Sequence, residues 1–211
     1  KEAKASRIKK YWRQIARPQA HGHAIACVAA LLMLHGFYGD SSLWDPLMPA
    51  LTGPDGWRCQ RMDLPGHGRA RDLRKGWPSL LERIDAWIRS CPTPPSIIGY
   101  SMGARVLRQL LLTEGPPLAR ALLIAPHPGL QPAAARARRM RDEQLAAWLR
   151  GHTAEEGLKR WAQSPIFAGQ SQCAADTLAR QRAMRLRQSP RGLAHALRQL
   201  GSGTCPAGGM P

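Results

Sequence analysis

Cysteine is scarce in this chain, and what there is does not build a framework. The five cysteines (Cys27, Cys59, Cys91, Cys173 and Cys205) are odd in number, widely spaced and include no C-x-x-C pair. That pattern excludes a disulfide scaffold and a cysteine-ligated zinc site, and it suits a reducing, cytoplasmic setting. Long apolar runs are also absent. The longest, over residues 24–34, falls well short of the roughly 20 residues that cross a bilayer. It follows a basic segment, but it ends in Leu34-His35-Gly36 rather than in a small-residue cleavage site. It reads as a buried strand. Aromatic residues make up only 6% of the sequence, and acidic residues are outnumbered 14 to 31 by Lys and Arg. The resulting net charge of +17 invites a phosphate-binding reading. A single-strand nucleic-acid binder, however, interleaves aromatics with its cations, and here they are too few. The arginines read as solvated faces, with some left over to bind an anionic small molecule.

What the sequence does have is material for a core: 44% hydrophobic residues in 211, enough for one domain with an inserted subdomain. Residues 1–22 are basic and aperiodic, an N-terminal extension. Continuous apolar character over 24–34, a short helix over 44–51, a strand over 57–63 and helical spacing over 80–89 follow in order. A strand leading into Gly99, a helix over 104–113 and a strand over 121–125 complete residues 23–131 as an α/β core. Strands that alternate with helices imply a parallel, doubly wound sheet. Residues 132–200 carry only helical signals, broken at Gly151, Ser164-Pro165 and Ser189-Pro190, and read as an inserted helical cap. The Gly/Pro-rich residues 201–211 read as a disordered tail.

One motif carries chemistry. Gly99-Tyr100-Ser101-Met102-Gly103 fits Gly-x-Ser-x-Gly between an apolar strand and a helix, the pattern of a nucleophile elbow. Such a turn holds its serine in a strained backbone conformation, and side chains at the flanking positions would clash. The hydroxyl then stands at a helix N-terminus, where free N–H groups favour negative charge. Two more loops fall at strand ends, His35-Gly36-Phe37-Tyr38-Gly39 and Asp63-Leu64-Pro65-Gly66-His67-Gly68. In parallel α/β sheets that edge is where ligands bind.

Together these three loops resemble the α/β-hydrolase fold superfamily over roughly residues 24–200. The resemblance implies an oxyanion hole made by the backbone N–H groups of Phe37 and Met102. Residues 100–105, His127-Pro128-Gly129-Leu130-Gln131 and Trp161-Ala162-Gln163-Ser164-Pro165-Ile166-Phe167 look more narrowly like the 2-succinyl-6-hydroxy-2,4-cyclohexadiene-1-carboxylate synthases of menaquinone biosynthesis. In that family the serine is a proton-abstracting base in a lyase that eliminates pyruvate from 2-succinyl-5-enolpyruvyl-6-hydroxy-3-cyclohexene-1-carboxylate. The resemblance implies Ser101 as that base and Tyr100, Arg105, Arg139, Arg187 and Trp161 as the substrate-binding set, with neither metal nor organic cofactor. A polycarboxylate fits arginine chemistry, because planar, permanently charged forks match carboxylates.

The histidines divide differently. His35 and His67 read as structural residues that hold backbone turns. His127 precedes the cap and is out of order for a triad that runs Ser, Asp, His. His152 and His195 read as surface residues, and neither Asp142 nor Asp176 follows an apolar strand as a triad acid would. The family carries its acid and histidine on two later strand-end loops, and residues 201–211 resemble neither. The reading is therefore of a hydrolase core lacking its C-terminal strands, through truncation or a frameshift, with Ser101 lacking its base. Two further readings stay open: a serine carboxylic-ester hydrolase, and an inactive remnant or basic binding protein.

Overall fold

The computed structural model describes residues 29–52, 56–113, 115–167 and 169–206. The basic extension over 1–22, the first part of the apolar run and residues 207–211 lie outside them.

Among the described residues four strands form one sheet: β1 (Ala30–Leu34), β2 (Arg58–Met62), β3 (Ser96–Tyr100) and β4 (Arg120–Ile124), in the order β2-β1-β3-β4. Every pairing is parallel, and the register aligns the carboxyl ends: Leu34 lies opposite Met62 and Gly99, and Tyr100 opposite Ile124. The central strand β1 is buried throughout, as a strand covered on both faces must be. Its side chains alternate between faces. Leu32 and Leu34 join Ile97 in one core, Leu31 and Met33 join Ile98 in the other. The outer strand β2 reads Arg-Cys-Gln-Arg-Met and is exposed or half-buried except at Met62.

The helices follow from spacing and breakers. A 3-10 segment (Ser41–Leu47) leads into the one-turn α1 (Met48–Leu51), and the Asp40 side chain accepts the Ser42 N–H as its N-cap. Helix α2 (Trp77–Arg89) starts three residues earlier than its apolar spacing suggested. Gly76 is its extended N-cap and Pro78 stands in the first turn, where a missing N–H costs nothing. It buries Trp77, Leu80, Ile84 and Ile88, one stripe of a 3.6-residue period. Helix α3 (Met102–Leu112) runs on from the elbow.

Among the described residues, 132–200 contain no strand and hold α4 (Pro132–Leu149), α5 (Ala154–Ala162), α6 (Ala175–Leu186) and α7 (Pro190–Leu200). Thr153 and Glu156 close a reciprocal capping box at the start of α5. Helix α7 buries Leu193, Ala194, Ala196, Leu197 and Leu200; Leu193, Ala194 and Leu197 meet Ala146 and Leu149 of α4 and Tyr38 of the β1 loop. Its first turn seats on the loop after β2. A Cβ on Gly192 would lie 2.4 Å from the Gly66 carbonyl oxygen, and the Gly68 N–H donates to Gln188 Oε1 at 3.0 Å. The loose tail read from residue 201 onward does not hold over 201–206. Gly201, Ser202 and Gly203 are buried, Ser202–Thr204 forms a 3-10 turn, and Gln109 Nε2 donates to the Pro206 carbonyl at 3.1 Å.

Candidate active site

Ser101 sits at the tight turn between β3 and α3 with φ 51° and ψ −106°. A non-glycine residue there stores roughly 1–3 kcal/mol of strain. The two glycines of the motif are required by contact. A Cβ on Gly99 would lie 2.4 Å from the Gly103 carbonyl oxygen, and one on Gly103 would lie 2.3 Å from that of Leu34. The turn is held by the Ser101 N–H donating to the Ile124 carbonyl at 2.9 Å and the Gly103 N–H donating to that of His35 at 3.0 Å. Met102 opens α3, so its N–H is one of those that no intrahelical carbonyl can take.

The loop after β1 packs directly on this turn. A Cβ on Gly36 would come within 3.1 Å of Ser101 Cβ. A pair of buried histidines fixes it. His35 Nε2 accepts the Leu64 N–H at 2.9 Å and His67 Nε2 accepts the Tyr38 N–H at 3.2 Å. The opposite ring nitrogens donate to the Gly36 and Pro65 carbonyls at 2.8 and 3.1 Å. Each ring is thereby set as the neutral Nδ1–H tautomer. Burial lowers both pKa values, that of His67 to about 3 with His35 adding to the effect. These are structural histidines, as expected. Phe37 lies inside the turn they hold, between Gly36, whose carbonyl takes the Gly39 N–H, and Tyr38.

A cavity of about 490 Å³ opens over Ser101 at the carboxyl edge of the sheet. Of the residues singled out from the sequence, Phe37, Tyr100, Ser101, Met102, Arg105 and Trp161 all line it. Both phenylalanines of the chain, Phe37 and Phe167, are in its wall. Trp161 of α5 bridges them, with ring centroids 5.0 Å from Phe37 and 5.4 Å from Phe167. It also stacks on Tyr38 at 5.7 Å.

Among the described residues, three arginines line this cavity: Arg105, Arg138 and Arg185. Arg105 donates from Nη2 to the Leu200 carbonyl at 3.0 Å. Burial lowers its pKa to about 10, with Cys205 opposing the shift, so it stays charged at neutral pH. Burial also lowers that of Arg185, whose guanidinium lies 5.4 Å from the Phe167 ring centroid. Arg139 and Arg187 are not in the cavity wall. Arg139 donates from Nε to the Gly203 carbonyl at 2.7 Å, and Arg187 reaches Asp40 Oδ2 at 3.4 Å and Ser42 Oγ at 3.1 Å. Both hold neighbouring chain segments. The cavity arginines are their near neighbours in sequence, one residue earlier on α4 and two residues earlier on α6. Each step along a helix turns the side chain by about 100°. The packing of α4 on α7 selects Arg138, and a run containing Arg136, Arg138, Arg139 and Arg141 carries no such signal.

His127, also in the wall, accepts the Gly129 N–H on Nδ1 at 3.1 Å. Burial, then Arg105, Arg138 and Arg108, lower its pKa. Tyr38 completes the set that sequence reading passed over. It is 2% exposed, its hydroxyl has no hydrogen-bond partner among the described residues, and burial raises its pKa to about 12. His152, stacked on Trp148, and His195 lie outside the cavity. Among the described residues no histidine or carboxylate hydrogen-bonds to Ser101, no cluster of His, Cys, Asp and Glu has metal-site geometry, and no helix is long and apolar enough to cross a membrane.

A sequence profile of the Alpha/beta hydrolase family matches residues 31–207. The chain is similar to the 2-succinyl-6-hydroxy-2,4-cyclohexadiene-1-carboxylate synthase of Salmonella typhimurium. It is 33% identical over 144 residues, which make up 66% of this chain and 55% of that protein; the chain thus spans about half the length of the curated relatives it matches. Among solved structures it is similar to MenH from S. aureus, with a TM-score of 0.79 and 27% identity over 89% of this chain and 71% of that one. It shares its fold with a carboxylesterase structure from Nitrososphaera gargenis, with a TM-score of 0.61 and 19% identity over 87% and 67% of the two chains. Parallel sheet, serine elbow and family match agree: the chain belongs to the α/β hydrolase family.

Proposed function

We propose that this chain carries the substrate cavity and elbow serine of a lyase that converts 2-succinyl-5-enolpyruvyl-6-hydroxy-3-cyclohexene-1-carboxylate to 2-succinyl-6-hydroxy-2,4-cyclohexadiene-1-carboxylate and pyruvate. The observation that carries the reading is the convergence of Arg105, Arg138 and Arg185 on the cavity that holds Ser101. A substrate with several carboxylates supplies the partners such a cluster needs. The aromatic wall of Phe37, Trp161 and Phe167 offers apolar surface to the carbon ring.

In this reading Ser101 Oγ takes the ring proton at C2, the electron pair forms the C2–C3 double bond, the existing C3–C4 double bond moves to C4–C5, and the C5–O bond to the enolpyruvyl group breaks. Enolpyruvate leaves and tautomerises to pyruvate. The Phe37 and Met102 N–H groups hold the negative charge that develops on a substrate oxygen, at roughly 3 kcal/mol per donor. Tyr100 stands beside the serine to hydrogen-bond a carboxylate. Ser101 acts as a base only if its own proton is taken by a histidine, and none of the described histidines does so. We further place the protein in a reducing compartment, because its five cysteines are odd in number, widely spaced and include no C-x-x-C pair.

The test is pyruvate release from freshly generated substrate, followed by coupled reduction to lactate. Release that disappears in Ser101→Ala and falls in Arg185→Ala supports the reading. Hydrolysis of a nitrophenyl ester with no pyruvate release would instead establish a carboxylic-ester hydrolase.

A further inference from the structure

Asp142 is a buried carboxylate in a chain whose basic residues outnumber its acidic ones 31 to 14. It lies on α4 one turn after Arg138, and its Oδ1 accepts Arg138 Nε at 2.8 Å. Exposed i,i+4 pairs of this kind are common and weak. This pair differs, because the carboxylate side chain is only 8% exposed while the arginine is 39% exposed. Asp142 Oδ2 is buried with no hydrogen-bond partner among the described residues. A Cβ on Gly201 would lie 2.6 Å from that oxygen, and Gly201 is in the cavity wall. The carboxylate thus stands directly behind the wall, against the backbone at Gly201.

Burying a carboxylate with one oxygen unpaired is unfavourable, and an apolar residue of similar size there would serve stability better. A guanidinium has five donors, one on Nε and four on the terminal amino groups. Asp142 engages only Nε. Asp142 thereby leaves untouched the terminal groups, which alone can form a two-pronged contact with a ligand carboxylate in that pose, and Arg138 is in the cavity wall. Arg138 has a long, flexible stem, and fixing it beforehand removes ordering that a ligand would otherwise have to impose.

We propose that Asp142 is a positioning residue for carboxylate binding: it anchors Arg138 through Nε so that both terminal amino groups face the cavity. The proposal rests on the reading of the cavity as a polycarboxylate site. It runs against simple electrostatics, and that makes it testable by sign. Removing a negative charge from beside an anion site tightens anion binding if charge alone matters. If anchoring matters, removal weakens it.

The probe is citrate, titrated calorimetrically into the whole chain. Asp142→Leu fills the volume and removes the acceptor; citrate binding is expected to weaken at least fivefold. Asp142→Asn keeps an acceptor oxygen for Nε and is expected to stay within twofold of wild type. Glu143→Gln, which makes the same change in net charge at the exposed pair with Arg198, is expected to match wild type. Thermal melting checks folding, and Asp142→Ala carries the same expectation should the leucine variant not fold. Equal or tighter citrate binding in a folded Asp142→Leu or Asp142→Ala overturns the positioning role alone. A wild-type chain that takes up no citrate overturns the polycarboxylate reading, and this proposal with it.

Discussion

Arg105 on the elbow helix donates from Nη2 to the carbonyl of Leu200 at 3.0 Å. A cavity cation therefore also satisfies an orphan carbonyl at the end of α7, joining the α/β core to the last helix. Lysine reproduces the charge but not the fork. Arg105→Lys is expected to cost about 1–3 kcal/mol of stability, the range for a buried group left unpaired, and to weaken carboxylate binding at the same time. Urea unfolding and citrate titration of the same preparation separate the two effects.

The strained turn at Ser101 gives a prediction of opposite sign. Glycine adopts φ 51° and ψ −106° far more readily than serine does. Ser101→Gly is expected to raise stability by about 1 kcal/mol or more while abolishing any turnover. Ser101→Ala removes the hydroxyl but keeps the strain, so its melting temperature should stay near wild type. A glycine variant no more stable than the alanine variant would contradict the strain reading.

Gly103 has the opposite constraint, since its missing side chain is what lets α3 approach β1. Gly103→Ala would drive a methyl group to 2.3 Å from the Leu34 carbonyl oxygen. Backbone on both sides cannot yield cheaply, so a loss of roughly 1–3 kcal/mol or more is expected, as for overpacking elsewhere, with a lower urea midpoint as the readout.

The arginines split by position. Arg138→Ala and Arg185→Ala are expected to weaken citrate binding about tenfold or more, with a small effect on melting for Arg185→Ala and a loss of about 1–3 kcal/mol for Arg138→Ala, which leaves the buried Asp142 carboxylate without its partner. Arg187→Ala is expected to leave binding unchanged. Arg139→Ala should lower stability by about 1 kcal/mol, because the Gly203 carbonyl loses the Nε donor at 2.7 Å. Arg139 or Arg187 proving the stronger determinant of binding would reverse this assignment.

Acid sensitivity follows from the histidine pair. Burial depresses the folded pKa of His67 to about 3 and lowers that of His35, against about 6.5 in an unfolded chain. Between those values the unfolded state binds more protons, so stability rises with pH there. The contribution is complete above about pH 6.5 and is lost progressively as pH falls toward 3, at no more than about 1.4 kcal/mol per pH unit for each ring. Urea midpoints measured from pH 7 down to pH 4 should show that slope, and His67→Gln should flatten it.

The elements legible in the sequence were those whose pattern is local. Gly99 and Gly103 around Ser101 announce a turn that only one geometry satisfies, and the unbroken apolar character of β1 announces a strand covered on both faces. Element ends shifted where a breaker, not the apolar period, set the boundary, as Gly76 and Pro78 do for α2. Arg138 and Arg185 were not legible. Their selection over Arg139 and Arg187 depends on how α4 and α6 rotate against neighbours distant in sequence. Tyr38 was passed over for a similar reason. Its burial is decided by α4, α5 and α7 closing over it, and a Cβ on Gly157 would lie 2.6 Å from its hydroxyl.

The histidine brackets on the β1 loop have one more consequence, for exchange with solvent deuterium. The amides of Leu64 and Tyr38 donate to imidazole nitrogens rather than to carbonyls. A ring nitrogen that gains a proton can no longer accept one, so each amide loses its partner the moment its histidine ionises. These two amide signals, without any substrate or turnover, give the titration curve of the loop that presents Phe37 to the cavity.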